Sequence, residues 1–254
     1  MILKNHSIDC VIFGFINDKL CVLLWQTESE EAKRFFMQQD TYENLKEILE
    51  ENPIHIADSG YWGVIGAHIP IDRDIDEYAK FLLTHITGLN NIYLKQVKTF
   101  GKVDRVPFLR VITTAYYAII NPEYHDLRQS DMSKVLRWVE VDKLPEMMLF
   151  DHREIIESAL HKLRQMVQTH PIGFKLLPEK FTLTQLQTMY EVILDTKLDT
   201  RNFRKKVQKM GLLIDTNEKQ TNVAHRAAKL YKFNMQVYED LKKEGVIIRF
   251  MNII

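Results

Sequence analysis

The sequence predicts an α+β protein in two modules: a mixed β-sheet with flanking helices, then a smaller group of helices closed by a β-hairpin. Three observations carry this. Apolar runs of strand character and helix-period segments share the first two thirds of the 254 residues. The turn-forming stretch HPIGFKLLPEKF at 170–181 then breaks the pattern. Charge changes sign across that break: residues 1–170 carry 19 Lys and Arg against 25 Asp and Glu, and residues 171–254 carry 15 against 9. The length suits two domains, and the expected division is 1–169, a linker at 170–181, and 182–254.

In chain order, SIDCVIFGFINDKLCVLLW at 7–25 reads as two strands turning at Asn17-Asp18-Lys19. Residues 26–59 are acidic and helix-favouring, and read as an inserted, solvated loop decoration. GYWGVIG at 60–66 predicts a turn and a short strand. Ile75, Tyr78, Ala79, Leu82, Leu83 and Ile86 then recur at helical spacing, with Gly88 as the stop. YLKQVKTFG, RVITTAYYAII and WVEVDKLP predict further strands, and DHREIIESALHKLRQMVQ predicts a helix capped by Asp151. Beyond 181, TLTQLQTMYEVIL is a helix with Thr182 or Thr184 at its N-cap. LDTRNFRKKVQKMG is a second, capped by Asp199 and stopped by Gly211. GLLIDTNEK and KLYKFN form a hairpin around the loop QTNVAHRAA. Helix, turn, helix and hairpin is the order of a winged helix-turn-helix.

Composition removes several classes. Apolar residues at 46% and charged residues at 27% are globular values. Two cysteines, Cys10 and Cys21, support neither a disulfide framework nor a four-cysteine zinc site. MILKNHSIDC lacks the apolar core of a signal peptide, and no apolar run approaches a membrane span. A cytoplasmic protein without membrane association is expected.

On a helical wheel, Phe203, Val207 and Met210 share one stripe that would dock on the preceding helix. Arg201, Lys205, Gln208 and Lys209 lie opposite, flanked by Asn202 and Arg204, while Lys206 lies nearer the stripe. Arg and Lys read guanine or grip phosphate, and Asn and Gln read adenine. The hairpin adds Lys219, His225 and Arg226, suited to backbone or minor-groove contact. A merely solvated amphipathic helix would share the basic face; the hairpin that follows favours DNA.

The chain resembles the Nudix-related transcriptional regulators, a group that includes repressors of NAD biosynthesis genes and regulators of arabinose utilisation. The resemblance rests on FGKVDRVP at 100–107 with Arg110 and Ala115-Tyr116-Tyr117, and on Phe150-Asp151-His152-Arg153. It rests most specifically on PIGFKLLP at 171–178, FTLTQLQ at 181–187, LDTRNFRKK at 198–206 and Leu230-Tyr231-Lys232-Phe233. It implies a Nudix α/β/α sandwich followed by a winged helix, a homodimer, a small-molecule effector and a double-stranded DNA operator.

The departure from the enzyme pattern is informative. The Nudix box is G-x5-E-x7-R-E-U-x-E-E-x-G-U, with U apolar. Anchored on Gly88, its first Gly is Ala67, its first Glu Arg73, its Arg-Glu pair Phe81-Leu82 and its Glu-Glu pair His85-Ile86; Leu83 and Leu89 keep the pattern. The box glutamates hold hard divalent cations that activate water. Asp72, Asp74, Asp76 and Glu77 are close in sequence but off the box positions. No enzyme, metal or cofactor is therefore expected, and the domain is expected to bind rather than cleave. Trp62, with Tyr61, suits stacking on a sugar or base; His68, Arg73, Asp104, Arg105 and Arg110 suit hydroxyls or phosphate. An Asp-Arg pair that only ties the loop is the plainer role for 104–105. The expectation is a repressor responding to a sugar or an ADP-ribose-like nucleotide sugar. The alternatives are a nucleoside diphosphate hydrolase with an atypical site and a winged-helix protein adaptor.

Overall fold

The structure, a computed structural model, describes residues 2–26, 60–88, 92–107, 109–122, 136–221 and 226–244. The acidic stretch 27–59, Leu89 and His225 lie outside the described residues. Two compact units emerge: residues 1–14 with 21–162, and residues 15–20 with 163–254.

The first unit is built on a mixed sheet. β1 (Ile2–Ile16) turns into β2 (Lys19–Gln26), and Asn17 and Asp18 both take positive φ. That is the conformation of the hairpin turn whose twist matches its strands, and Asn and Asp tolerate it best after Gly. β3 (Trp62–Gly63) adds to β2, and β4 (Ile65–Pro70) runs antiparallel to β1. β5 (Tyr93–Phe100) pairs antiparallel with β6 (Ile112–Ile120), and β6 lies parallel to β1 from His6↔Ile112 to Gly14↔Ile120. β7 (Leu136–Glu140) closes on β2. Side chains alternate across a strand, so β1 sends Ile8, Cys10 and Ile12 to one face and Asp9 to the other.

That first face receives α1 (Ile75–Thr87). Its Ala79, Leu82, Leu83 and Ile86 share one core with Ile8, Cys10, Ile12, Ile65, Ala67, Ile69 and Tyr116. Gly88 ends α1 in the left-handed region at φ 72°, where a side chain would be strained. Tyr116 reaches across to donate its hydroxyl to Asp76 in the first turn. The face carrying Asp9 meets the start of α2 (His152–Thr169). Helices on both faces of the sheet make the α/β/α sandwich that the resemblance implies.

The second unit takes in the end of α2, where Arg164 Nε donates to Ile193 O at 2.8 Å. The expected linker is more ordered than its turn formers suggest. Pro171–Leu176 is a 3₁₀ helix whose Pro171, Ile172, Gly173, Phe174 and Leu176 are buried. Phe174 stacks on Phe233 with ring centroids 4.2 Å apart. A Cβ at Gly173 would stand 2.8 Å from Met189 Cε, so glycine permits this close approach. α3 (Leu183–Leu194) starts with a capping box between Thr182 and Gln185. α4 (Thr200–Lys209) starts with Asp199 accepting from the Asn202 N–H at 2.8 Å. The wing is β8 (Leu213–Lys219) with β9 (Lys229–Phe233), and Phe181 pairs through its main chain with Tyr231 as a third edge. A helix that the sequence reading omitted, α5 (Met235–Lys243), follows. No helix among the described residues is long and apolar enough to cross a membrane.

Candidate nucleic-acid interface and effector site

α4 is fixed from below and open above. Phe203 and Val207 are buried, Met210 is half-buried, and the Phe203 ring lies 6.1 Å from that of Tyr190 on α3. Arg201, Asn202, Arg204, Lys205, Gln208 and Lys209 are all exposed, as the wheel predicts. Arg204 is tethered, its Nη2 donating to Thr184 Oγ1 at 3.3 Å. Lys206, half-buried beside the stripe, has its ammonium pKa lowered by burial.

The wing separates its cations into two kinds. Lys229 pairs with Asp215 at 2.7 Å, Lys180 with Glu218 at 2.7 Å and Lys232 with Glu179. Lys219 and Arg226 are exposed and have no ion-pair partner among the described residues. Net charge alone does not distinguish these groups, although only unpaired cations are immediately available to phosphate.

Turn geometry sets where α4 points. Gln187 Nε2 lies 2.9 Å from Glu191 Oε1, 3.0 Å from Leu198 O and 3.1 Å from Thr200 Oγ1. Glu191 Oε1 accepts from the Leu198 N–H at 3.0 Å, and Oε2 meets Lys197 Nζ at 3.2 Å. Burial raises the Glu191 pKa, but these hydrogen bonds outweigh it and the net shift is downward. Sequence reading missed both residues, because mid-helix Gln and Glu look like ordinary solvated positions.

In the first unit, Arg105 is turned into the protein. Its side chain is 3% exposed, and Nε and Nη2 bind the two Asp151 oxygens at 2.9 and 2.8 Å. Nη2 also lies 3.4 Å from Asp9 Oδ2. The expected Asp104-Arg105 tie is thus an Arg105–Asp151 fork, and Asp104 is exposed. Asp151 stands where the first helical bond of α2 begins, with its main-chain O accepting from the Ile155 N–H at 3.0 Å. Its carboxylate, expected as a cap, is engaged by Arg105 instead. His152 is buried: Nδ1 accepts from the Val64 N–H at 3.2 Å, and Nε2 lies 3.6 Å from Asp9. Protonated, Nδ1 would turn a donor toward a donor. Burial lowers the His152 pKa against the pull of Asp9 and Asp151. Gly66 makes room for Asp9, since a Cβ there would stand 2.3 Å from Asp9 Oδ1.

The remaining effector candidates divide. His68 is half-buried beside this network, its Nδ1 3.3 Å from Leu3 O, and burial is the chief cause of its lowered pKa. Trp62 is half-buried, with its main chain bonded to Met147 and Leu149. Arg110 is exposed and donates from Nη1 to Gly101 O at 2.8 Å and Lys102 O at 2.7 Å. Arg73 stands in the bend just before α1, its guanidinium 5.7 Å from the Phe81 ring centre on that helix, and Phe81 stacks on His85. At the glutamate positions of the anchored box, Leu82 and Ile86 are core residues, 2% and 3% exposed. Apolar side chains packed against the sheet do not fit a hard divalent cation, which requires oxygen ligands.

Residues 173–233 match the family model described as the NrtR DNA-binding winged helix domain. The ADPR responsive transcriptional repressor NtrR of Acinetobacter baylyi is 30% identical over 182 residues, covering 70% of this chain and 72% of that protein. A crystal structure of Shewanella oneidensis NrtR is similar with TM-score 0.68 and 26% identity, covering 90% of this chain and 93% of that one. NrtR of the same organism, complexed with a 27mer DNA, shares the fold with TM-score 0.71 and 24% identity, covering 93% of this chain and 96% of that one.

Proposed function

The chain belongs to the Nudix-related transcriptional regulators, and from that premise we propose that it is an operator-binding repressor released by ADP-ribose. Operator binding is assigned to residues 182–254 and effector sensing to residues 1–169, in a homodimer on a two-fold operator. The observation that carries the reading is α4: a helix anchored by buried Phe203 and Val207, with Arg201, Asn202, Lys205, Gln208 and Lys209 exposed. Arg204, Lys219 and Arg226 complete the DNA-facing set, and His225, outside the described residues, is assigned to DNA contact from its place in the sequence alone. ADP-ribose is favoured over a free sugar by the relative whose name states that response. Trp62, His68, Asp104 and Arg110 are assigned to effector contact, Arg73, in the bend before α1, to a phosphate, and Arg105 to holding the loop that carries Asp104 and Arg110.

The test uses the full chain and a duplex selected by it from a random-sequence library. ADP-ribose is expected to weaken binding to that duplex and to raise the melting temperature of the free protein. At about 100 times its dissociation constant it adds about 2.7 kcal/mol, and by linkage the duplex weakens ADP-ribose binding by the same factor. Arabinose is the comparison ligand. A response to arabinose with none to ADP-ribose would reverse the effector assignment.

Hydrolysis is expected to be absent. With Mg²⁺ or Mn²⁺, ADP-ribose incubated with the protein should yield no AMP or ribose 5-phosphate beyond the buffer rate, because Leu82 and Ile86 offer no oxygen. EDTA-sensitive turnover would restore the hydrolase alternative.

A further inference from the structure

We propose that Thr184, Gln187 and Glu191 on α3 are positioning residues that fix α4 on DNA and so set sequence discrimination; this rests on the operator-binding reading above. The three are spaced i, i+3 and i+7, which places them along one side of α3. Their partners run in order along the turn and α4. Glu191 and Gln187 hold the N–H and the C=O of Leu198, Gln187 also meets Thr200 Oγ1, and Thr184 accepts from Arg204. Both main-chain polar groups of Leu198, the residue before the Asp199 cap, are therefore held by side chains of the neighbouring helix.

This seam supplies what the apolar contact cannot. The packing of Phe203 and Val207 keeps α4 close to its neighbour, but apolar attraction is non-directional and tolerates a small roll or slide. Hydrogen bonds constrain angle as well as distance. Base reading requires side chains held within about 0.5 Å of their working positions, whereas gripping phosphate with long, mobile lysines does not. The seam thus acts on discrimination between sequences and leaves the general attraction to DNA intact.

The experiment compares wild type with Glu191→Ala, Glu191→Gln, Gln187→Ala and Thr184→Val. For each, affinity is measured on a duplex selected by the wild type from a random-sequence library and on a scrambled duplex, across a salt series. Glu191→Ala and Gln187→Ala are expected to lower the selected-to-scrambled ratio about tenfold, the loss of one bidentate base contact. Scrambled-DNA affinity and its salt slope should stay at wild-type values in Gln187→Ala, which leaves the exposed cations untouched, whereas Glu191→Ala and Glu191→Gln free exposed Lys197 from its carboxylate and should hold or raise scrambled-DNA affinity, not lower it. Glu191→Gln keeps an acceptor for the Leu198 N–H and should recover most of the ratio. Thr184→Val changes an exposed residue, so folding survives, and the ratio should fall by a smaller factor. Wild-type ratios in Glu191→Ala, Gln187→Ala and Thr184→Val, or parallel losses on both duplexes in all three, would overturn the proposal. If the wild type selects no sequence, the operator-binding reading falls and takes this inference with it, which separates the two failures.

Discussion

Arg105→Ala lowers the stability of the first unit by about 3–5 kcal/mol, the cost of removing one partner from a buried ion pair. The guanidinium is 3% exposed, and its partners Asp151 and Asp9 are 12% and 8% exposed. Its removal leaves two carboxylates buried without a cation. Asp151→Ala should cost less, because Arg105 keeps Asp9. That order, Arg105→Ala worse than Asp151→Ala, distinguishes a hub with two anions from a simple pair. Trp25, Trp62 and Trp138 all lie in the first unit, so tryptophan fluorescence in a urea titration follows that unit alone. A loss below about 1 kcal/mol, the range of an exposed pair, would show that the network is solvated. Arg105 is accordingly a poor site for testing effector contact, since a blunted response would follow from instability. Exposed Arg110 and Asp104 are the better choices.

What the sequence discloses depends on how far apart the interacting residues stand. The second unit was legible because its signals are local: Thr182 and Asp199 cap their helices within three residues, and Phe203 and Val207 sit one turn apart. The Arg105 network was not, because its carboxylates lie 96 and 46 residues away. They meet only once β1, the loop before β6 and the start of α2 are assembled. FGKVDRVP and Phe150-Asp151-His152-Arg153 carried the resemblance separately, and the structure joins them through one guanidinium. In the sequence, Pro171 and Gly173 have the look of breakers. In the fold, Pro171 opens a buried 3₁₀ helix, and Gly173 admits Met189. The basic count after residue 170 likewise overstated what DNA can use, because Lys180, Lys229 and Lys232 face carboxylates across the wing.

Those paired lysines supply the contrast for the DNA prediction. Arg201→Ala and Lys205→Ala should each weaken the selected duplex by about 1–3 kcal/mol and relax preference at one base pair. Both side chains are exposed in the first half of α4, the part of a recognition helix that meets base edges. Lys209, at the far end, and Arg226, on the wing, suit phosphate or groove-width contact. Lys209→Ala and Arg226→Ala should weaken selected and scrambled duplexes alike and reduce the salt slope by about one each. Lys229 and Lys232 carry as much formal charge, but Asp215 and Glu179 hydrogen-bond their ammonium groups and raise their pKa values. A lysine already neutralised by a carboxylate releases no counterion from DNA unless that bond breaks, so Lys229→Ala and Lys232→Ala should leave the slope at its wild-type value. The measurement is affinity for both duplexes across a salt series for all six variants. Equal slope changes at Lys209 and Lys229 would mean that the wing pairs open on DNA. Wild-type behaviour of folded Arg201→Ala, Lys205→Ala and Arg226→Ala would remove α4 from the interface and leave the adaptor reading in its place.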